Sequence, residues 1–167
     1  MAGYIAVDLE TTSLSARHGG RIIEIAAVAL TDDGLEEEFQ SLINPGVPIP
    51  VGAQRVHGIT ADLLQGQPSP EYVLTQFRKF IGVDTLIAHN AQFDVNFLKY
   101  EFNRFGLDMV NRSICTLSMS RRCLPGLQNY KLATVYRHLF NELPGGLHRA
   151  LTDARMAGRI WQELIKR

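Results

Sequence analysis

The stretch YIAVDLETT, residues 4–12, constrains the fold more than any other part of the sequence. Residues Tyr4 to Leu9 are nearly all apolar, which is typical of a β-strand covered on both faces of a sheet. Because side chains along a strand alternate between its two faces, Asp8 and Glu10 are predicted to lie on the same face. Two neighbouring carboxylates in an apolar setting repel each other, and their burial is costly unless a cation such as Mg2+ or Mn2+ supplies the missing charge. The stretch therefore predicts a buried strand that ends in a metal site.

Two more strands are predicted directly after this one. Arg21 to Leu30 has the pattern of a long strand, and Leu35 to Ile43 that of a weaker one. The sequence Asp32-Asp33-Gly34 between them predicts a tight hairpin, since glycine tolerates the positive φ that such a turn requires. The proline-spaced segment PGVPIP, residues 45–50, is predicted to be a surface loop.

Helices and short strands alternate in the rest of the chain. Ser69-Pro70 predicts a helix start, with serine as the N-cap and proline at the first helical position, and this helix is expected to end at Gly82. The other predicted helices cover Phe93 to Phe105, Thr116 to Cys123, Tyr130 to Phe140 and Arg149 to Ile165, and the other predicted strands cover Thr85 to His89 and Ser113 to Cys115. An antiparallel meander followed by this alternation predicts an α/β domain with a mixed sheet flanked by helices.

The composition predicts one soluble domain that spans residues 1–167. The two cysteines, Cys115 and Cys123, are too few for a thiolate zinc site and lack the dense spacing of a secreted disulfide scaffold, so a reducing cytoplasm is expected. No segment approaches the ~20 continuous apolar residues that a membrane span requires, and no signal-peptide pattern precedes the first strand. We therefore expect a cytoplasmic protein without a membrane partner.

The net charge is zero, with 17 basic and 17 acidic residues, so the composition alone gives no evidence for a nucleic-acid partner. A protein that collects carboxylates for metal ions would attract phosphates mainly through the bound cations. Local basic side chains are candidates for further phosphate contacts, although each is by itself more typical of an ordinary solvated residue. These candidates are Lys99, Arg104, Arg121, Arg122, Arg149 and Arg155.

Two further acids and a histidine complete a set of candidate metal-binding and catalytic residues. Asp94 lies in HNAQFD, and His148 and Asp153 lie in HRALTD. Either acid alone would be explained by the first turn of a helix, where a carboxylate interacts favourably with the helix dipole. Together with Asp8 and Glu10 they indicate a metal-dependent nuclease, because phosphodiester hydrolysis by two metal ions requires cations held by shared carboxylates. His148 follows two glycines, and histidine is the side-chain type best matched to proton transfer at neutral pH, so His148 is predicted to deprotonate the attacking water.

The motifs AVDLETT, HNAQFD and HRALTD, together with RIIEIAAVAL and VHGIT, resemble the DEDD superfamily of 3′-to-5′ exonucleases. The histidine five residues before the last aspartate marks one subgroup of that superfamily, and within it the chain is similar to bacterial proofreading exonucleases of the DNA polymerase III epsilon type. The resemblance implies a ribonuclease-H-like fold with a mixed five-stranded sheet and two Mg2+ or Mn2+ ions. It also implies the release of nucleoside monophosphates from single-stranded or frayed DNA 3′ ends, in proofreading or DNA repair, and a DNA polymerase catalytic subunit as a partner.

The resemblance assigns roles to individual residues of this chain. It places metal ligands at Asp8, Glu10, Asp94 and Asp153, a catalytic role also at Glu10, and the general base at His148. It places contacts to the terminal nucleotide at Thr11, Thr12, His57, Asn90 and Phe93. The residues considered alone would instead suggest a loop position for His57 and a core position for Phe93.

Two other functions are compatible with the same motifs. An exoribonuclease acting on RNA 3′ ends or short oligoribonucleotides would use the same chemistry, since discrimination depends on contacts to the 2′-hydroxyl group. A nucleic-acid-binding module without activity would also keep the fold, but the intact set of four acids and a histidine argues against it. The sequence is compatible with a free-standing exonuclease, a polymerase subunit or a domain of a larger protein.

Overall fold

A five-stranded mixed sheet forms the centre of the molecule, in a computed structural model that describes residues 3–31, 37–146 and 148–167. The strand order is β3-β2-β1-β4-β5, with β1 at Tyr4–Thr11, β2 at Ile22–Leu30, β3 at Glu38–Leu42, β4 at Thr85–Ala88 and β5 at Ser113–Cys115. The first three strands are antiparallel, whereas β4 runs parallel to both β1 and β5. The predicted mixed five-stranded sheet is therefore confirmed.

The meander has the expected order, with shifted boundaries. β1 continues two residues beyond Leu9 to Thr11, and β2 begins at Ile22 rather than at Arg21. The hairpin predicted at Asp32-Asp33-Gly34, and the first two residues of the third predicted strand, lie outside the described residues. The described part of that strand, β3, is Glu38–Leu42.

Seven α-helices surround the sheet in the described parts of the chain. They are α1 at Val51–His57, α2 at Ala61–Leu64, α3 at Pro70–Ile81, α4 at Ala91–Arg104, α5 at Thr116–Cys123, α6 at Leu132–Phe140 and α7 at Ala150–Leu164. The predicted start of α3 is confirmed, because the Ser69 hydroxyl accepts a hydrogen bond from the Tyr72 N–H at 3.4 Å. None of the helices in the described residues is long and apolar enough to cross a membrane.

The segment after the meander corrects the sequence analysis at one site residue. His57 is not a loop histidine, since it is the last residue of α1 and is buried. The sequence gives little sign of this helix, which is only seven residues long and whose N-cap, Pro50, has no side chain that can accept a hydrogen bond. The segment is instead held by packing, because Ile49 and Ile59 on either side of α1 share a small core with Ile23 of β2.

Helix α7 lies directly across one face of β1 and β2. Ala150, Ala154, Ala157, Trp161 and Leu164 are buried, as their spacing predicted. The approach is close at Gly158, where an added Cβ would lie 3.1 Å from the Ala6 Cβ and 3.0 Å from a Leu30 methyl carbon. The larger core lies on the other face, where α3 and α4 bury three phenylalanines, Phe77, Phe97 and Phe102. The helices on the two faces of the sheet, α7 on one and α4 on the other, each bring their first turn to the carboxyl end of β1.

Candidate active site

Three elements that are distant in sequence place carboxylates beside one another. Asp8 and Glu10 come from β1, and Asp153 comes from the first turn of α7. Each of the three offers a carboxylate oxygen, and these oxygens all lie within 4.8 Å of one another. Asp94, in the first turn of α4, is buried, and its charge acts on both Asp8 and Glu10. The structure therefore brings together the four acids that the sequence singled out.

The end of β1 explains the orientation of the first two acids. Asp8 is the register partner of Ala26 on β2, and Glu10 is the partner of Glu24. The register shifts between Glu10 and Thr11, and such an irregularity re-aims the residues that follow it. Asp8 and Glu10 remain half-buried, so they are accessible from the carboxyl end of the strand.

The two threonines after Glu10 form a buried turn. The Thr11 hydroxyl donates a hydrogen bond to the Ser13 carbonyl at 2.7 Å, and the Thr12 hydroxyl accepts one from the Arg21 N–H at 3.0 Å. The Thr12 N–H in turn donates to the Arg21 carbonyl at 2.9 Å. Both threonine hydroxyls are thus hydrogen-bonded within the protein. These hydrogen bonds fix the conformation of the backbone that follows Glu10.

Asp94 is positioned by an unusual backbone conformation before α4. Asn90 has a φ of 77°, which asparagine tolerates better than most residues, and its carbonyl accepts a hydrogen bond from the Phe93 N–H at 2.9 Å. This turn leaves Asn90 exposed and directs Asp94 inward. Phe93 is half-buried and packs against Phe97, with ring centroids 4.9 Å apart, so it belongs partly to the core and partly to the surface.

His148 lies two residues before α7, close to Asp153. It is exposed and has a φ of 60°, in the left-handed region, and the helix begins at Ala150. Its charge and its backbone N–H both lower the pKa of Asp153, which places the two residues close together. An exposed imidazole next to a buried carboxylate is free to exchange protons with solvent.

The acids strongly perturb one another. Burial, followed by the charges of Asp94, Asp153 and Glu10, raises the pKa of Asp8 well above its usual range. Burial and the neighbouring acids raise the pKa of Glu10 to about 8, and burial raises the pKa of Asp94 to about 8 although backbone N–H groups partly offset this. Burial also raises the pKa of Asp153 to about 6. At neutral pH the cluster therefore retains protons unless a cation neutralises it.

Comparisons with known proteins agree on one family. A family model described as an exonuclease, of the RNase T type, matches residues 5–161. The chain belongs to this exonuclease family. Its predicted membership of the DEDD exonuclease superfamily is confirmed.

Two relatives show how the exonuclease compares with longer proteins. It is 33% identical to the DNA polymerase III subunit epsilon of Aquifex aeolicus, over 98% of this chain and 80% of the relative. It is 38% identical to the PolC-type DNA polymerase III of Halalkalibacterium halodurans over 98% of this chain, but it spans only 11% of that polymerase.

Solved structures agree with the fold. Exonuclease X, in complex with 5′-overhanging duplex DNA, superposes with a TM-score of 0.79 at 28% identity, over 98% of this chain and 91% of that protein. The complex of Escherichia coli ExoI with single-stranded DNA, in its zinc-bound form, gives a TM-score of 0.83 at 17% identity, over 99% of this chain and 40% of that one. The latter likeness concerns the fold alone.

The acids of the exonuclease have the chemistry of a divalent-cation site. One carboxylate oxygen of Asp153, Oδ1, is buried and has no hydrogen-bonding partner among the described residues. Burial of such an atom is unfavourable unless it binds something, and carboxylate oxygens are the ligands that Mg2+ and similar hard cations prefer. The orphaned oxygen and the mutual repulsion of the cluster both fit a bound metal ion.

The sequence analysis missed an ion pair beside these acids whose carboxylate is fully buried. Glu24 is 0% exposed, and Arg149 donates hydrogen bonds to both of its carboxylate oxygens, at 2.7 Å from Nη2 and 3.0 Å from Nε. The Ala150 N–H and the Gln40 side chain also donate to Glu24, at 3.1 Å and 3.0 Å. The available signal was a charged residue inside the apolar stretch RIIEIAAVAL. The pair fastens the start of α7 to β2, directly next to His148.

The other basic candidates fall into two groups. Arg104 pairs with Glu101, and Arg155 pairs with Glu38, so these side chains are used within the protein. Lys99, Arg121 and Arg122 are exposed and make no ion pair within the described residues.

His57 lies near Glu24 and near Thr11 at the end of β1. Its Nδ1 accepts a hydrogen bond from the Ile59 N–H at 3.0 Å, which leaves Nε2 without a well-formed hydrogen bond in the described structure. Burial lowers the pKa of His57, while the charge of Glu24 and the carbonyl of Thr11 raise it in part. His57 is therefore a buried neutral histidine near the Thr11 turn.

Proposed function

We propose that this exonuclease removes nucleotides one at a time from the 3′ end of single-stranded or frayed DNA and releases nucleoside 5′-monophosphates. The convergence of Asp8, Glu10 and Asp153 within 4.8 Å, with Asp94 close enough to raise the pKa values of Asp8 and Glu10, is the observation that carries the proposal. Such a cluster suits two divalent cations, Mg2+ or Mn2+, which when bound stabilise the attacking and the leaving oxygens of a phosphodiester.

The residues around the cluster divide the remaining work. His148, exposed and adjacent to Asp153, takes a proton from the water whose oxygen attacks the terminal phosphorus. The bond between phosphorus and the 3′ oxygen of the preceding nucleotide breaks, so that one nucleoside monophosphate leaves and a new 3′ hydroxyl remains. Because His148 must be neutral to accept the proton, we expect the rate to rise with pH through the neutral range.

The terminal nucleotide would be held by the residues that line the approach to the acids. Since the hydroxyls of Thr11 and Thr12 are already hydrogen-bonded within the turn, these residues would act through their backbone and shape. His57 offers an Nε2 that lacks a partner in the described structure, and Asn90 and Phe93 offer an exposed amide and a half-exposed ring. A site shaped in this way would accept a chain end but not an uninterrupted strand.

Several relatives support DNA as the substrate and replication or repair as the setting. The similar epsilon subunit and PolC-type enzyme are DNA polymerase III proteins, and exonuclease X was solved with DNA. We infer a role in proofreading or DNA repair in the cytoplasm, with a DNA polymerase catalytic subunit as the partner. Mismatched ends fray at lower cost than paired ones, so a site that requires a few unpaired nucleotides would prefer them.

The deciding experiment uses 5′-labelled DNA and RNA oligonucleotides with free or blocked 3′ ends, and a circular single strand as the control. We expect a ladder of products shortened from a free 3′ end, which disappears in excess EDTA and returns with Mg2+ or Mn2+. Cleavage of the circle would show an endonuclease and contradict the proposal. Preferential degradation of RNA would favour the exoribonuclease alternative, and no hydrolysis of any substrate would favour a binding module.

A His148→Ala variant tests the proposed base. Turnover is expected to fall by ~10^2 to 10^4, while metal binding is largely retained. The rise of the wild-type rate through neutral pH should also vanish in the variant. If the variant lost metal affinity as fully as an Asp153→Ala variant does, His148 would be a metal ligand instead.

A further inference from the structure

A groove of about 560 Å3 lies next to the candidate active site and is not used by the chemistry described so far. One wall is the chain around the short 3-10 helix Ala16–His18, and the other is one face of α4. Leu14 and Phe93 are among its lining residues. Leu14 follows Thr12 by two residues and Phe93 directly precedes Asp94, so one end of the groove is formed by the same two segments that carry residues of the site.

The α4 wall of the groove is a regular helical stripe. Its members on α4 are Phe93, Asn96, Phe97, Lys99, Tyr100 and Asn103, which recur at helical spacing. At a rise of about 1.5 Å per residue, this stripe extends about 15 Å away from the acids. The residues after α4, including Asp108 and Met109, line the far end.

The two cations of the groove have no acidic partner. Arg17 and Lys99 are exposed, come from opposite walls, and form no ion pair within the part of the chain that the structure describes. Arg104, on the same helix as Lys99, is by contrast paired with Glu101. The protein has zero net charge, so any attraction for phosphates beyond the metal site must come from local features of this kind.

We propose that this groove binds the single strand upstream of its 3′ end, with Arg17 and Lys99 at successive phosphates. The proposal rests on the proposed function, because the occupant is the same strand whose end enters the active site. A stacked strand advances about 3.4 Å per nucleotide, so the 15 Å stripe matches about four nucleotides.

The remaining lining residues suit the same occupant. The exposed amides of Asn96 and Asn103 offer hydrogen bonds without requiring a given base, and the half-exposed ring of Tyr100 offers a surface for stacking. Asp108, the acidic residue at the far end, repels phosphates and marks where the strand leaves the protein. The groove is therefore expected to make affinity depend on the length of the strand and not on its sequence.

The test compares three proteins on oligodeoxythymidylates of two to ten nucleotides. They are the wild type, an Arg17→Ala/Lys99→Ala variant, and an Lys79→Ala/Arg137→Ala control that removes the same charge from exposed positions on α3 and α6. In the wild type, KM should fall with length up to about six nucleotides and then level off. In the groove variant, KM for the ten-nucleotide substrate should rise about tenfold with kcat unchanged, whereas KM for the dinucleotide should not change. The control should behave as the wild type.

Salt dependence gives a second readout. Each phosphate contact to a single strand contributes about 0.7 to the slope of log affinity against log salt, so the slope for the ten-nucleotide substrate should decrease by about 1.4 in the groove variant. An equal rise of KM for the dinucleotide and the long substrate would overturn the proposal, and so would a wild-type KM that is independent of length.

Failure of the proposed function would be recognised separately. If the wild type hydrolysed none of the oligonucleotides, strand binding in the groove would still be tested by measuring the affinity of the three proteins for a fluorescent ten-nucleotide strand in EDTA. That affinity should fall about tenfold in the groove variant and remain unchanged in the control. Equal affinities for all three proteins would overturn the groove assignment irrespective of catalysis.

Discussion

Glu10 and Glu24 lie opposite each other on neighbouring strands, but the pKa of Glu10 is raised above the ordinary glutamate value and that of Glu24 is lowered below it. Burial and the acids around Glu10 raise its pKa to about 8. Burial also raises the pKa of Glu24, but the hydrogen bonds from Arg149, Ala150 and Gln40 outweigh it and leave the pKa below its ordinary value. The difference shows that the partners of a buried carboxylate, more than its burial, decide its charge.

The same comparison separates a reactive group from a structural one. Glu24 is satisfied by the protein itself, and its ion pair holds the start of α7 against the sheet. Glu10 is surrounded by further acids, whose effect on its pKa outweighs that of the Arg149 charge, and it makes no comparable hydrogen bonds within the described residues, so a bound cation is needed to balance its charge. Strongly perturbed pKa values of this kind cluster at functional sites.

The largest expected effect is a difference in activity between two matched substitutions. Glu10→Gln should lower the hydrolysis rate of a single-stranded oligonucleotide by ~10^3 or more, because a metal ligand contributes several kcal/mol of transition-state stabilisation. Glu24→Gln removes an equal charge about one strand away and should change the rate less than tenfold. Comparable losses in the two variants would mean that Glu24 also takes part in metal binding.

The next effect concerns stability and the pairing of Glu24. Arg149→Met leaves the buried carboxylate without its cation, and we expect a loss of about 3 kcal/mol in the free energy of unfolding, measured with urea. Arg155→Met is the matched control, since its ion pair with Glu38 is largely exposed and is worth about 0 to 1 kcal/mol. If the control lost as much stability as Arg149→Met, the burial of Glu24 would not be the cause.

The smallest expected effect is the pH dependence of stability in EDTA. The folded-state pKa values of Glu10 and Asp94, about 8, and of Asp153, about 6, all exceed the unfolded values near 4. The folded protein therefore binds more protons than the unfolded chain in this range, and its free energy of unfolding should fall as the pH rises from about 5 to about 8.5.

Added Mg2+ should act against this fall in stability with rising pH, and the lowered pKa of Glu24 makes a contribution that depends on pH in the opposite direction. Mg2+ should restore stability mainly near pH 8, where the acids are ionised and able to bind it. The lowered pKa of Glu24 acts with the opposite sign, because its contribution is present above the ordinary glutamate pKa and is lost as the pH falls below it. A stability that rose steadily from pH 5 to 8.5 in EDTA would contradict the raised pKa values.

Much of the fold could be predicted from short stretches of sequence. The apolar run before Asp8 and the cap at Ser69-Pro70 both produced the expected elements. α5 has the predicted boundaries, Thr116–Cys123, and the other helix and strand ends shifted by a few residues at most. These features depend on the side-chain period and on capping groups, which nearby residues determine.

Other features had no local signal. The helix that ends at His57 is short, lacks a side-chain cap and is held by contacts with Ile23. Arg17 gave no reason to be singled out, and only the position of the 3-10 helix against α4 places it opposite Lys99.

The sequence by itself determined that Asp8 and Glu10 share a face and that Asp94 and Asp153 lie in the first turns of helices, because these relations follow from backbone geometry within a few residues. Only the tertiary structure decided that Asp153 meets the two acids of β1, and that Arg149 neutralises Glu24 across 125 residues of chain. Both depend on how closely α7 packs on β1 and β2. The close approach is possible because Ala6 and Gly158 are small residues. Such a distance between helix and sheet is set by the whole core, and no local pattern specifies it.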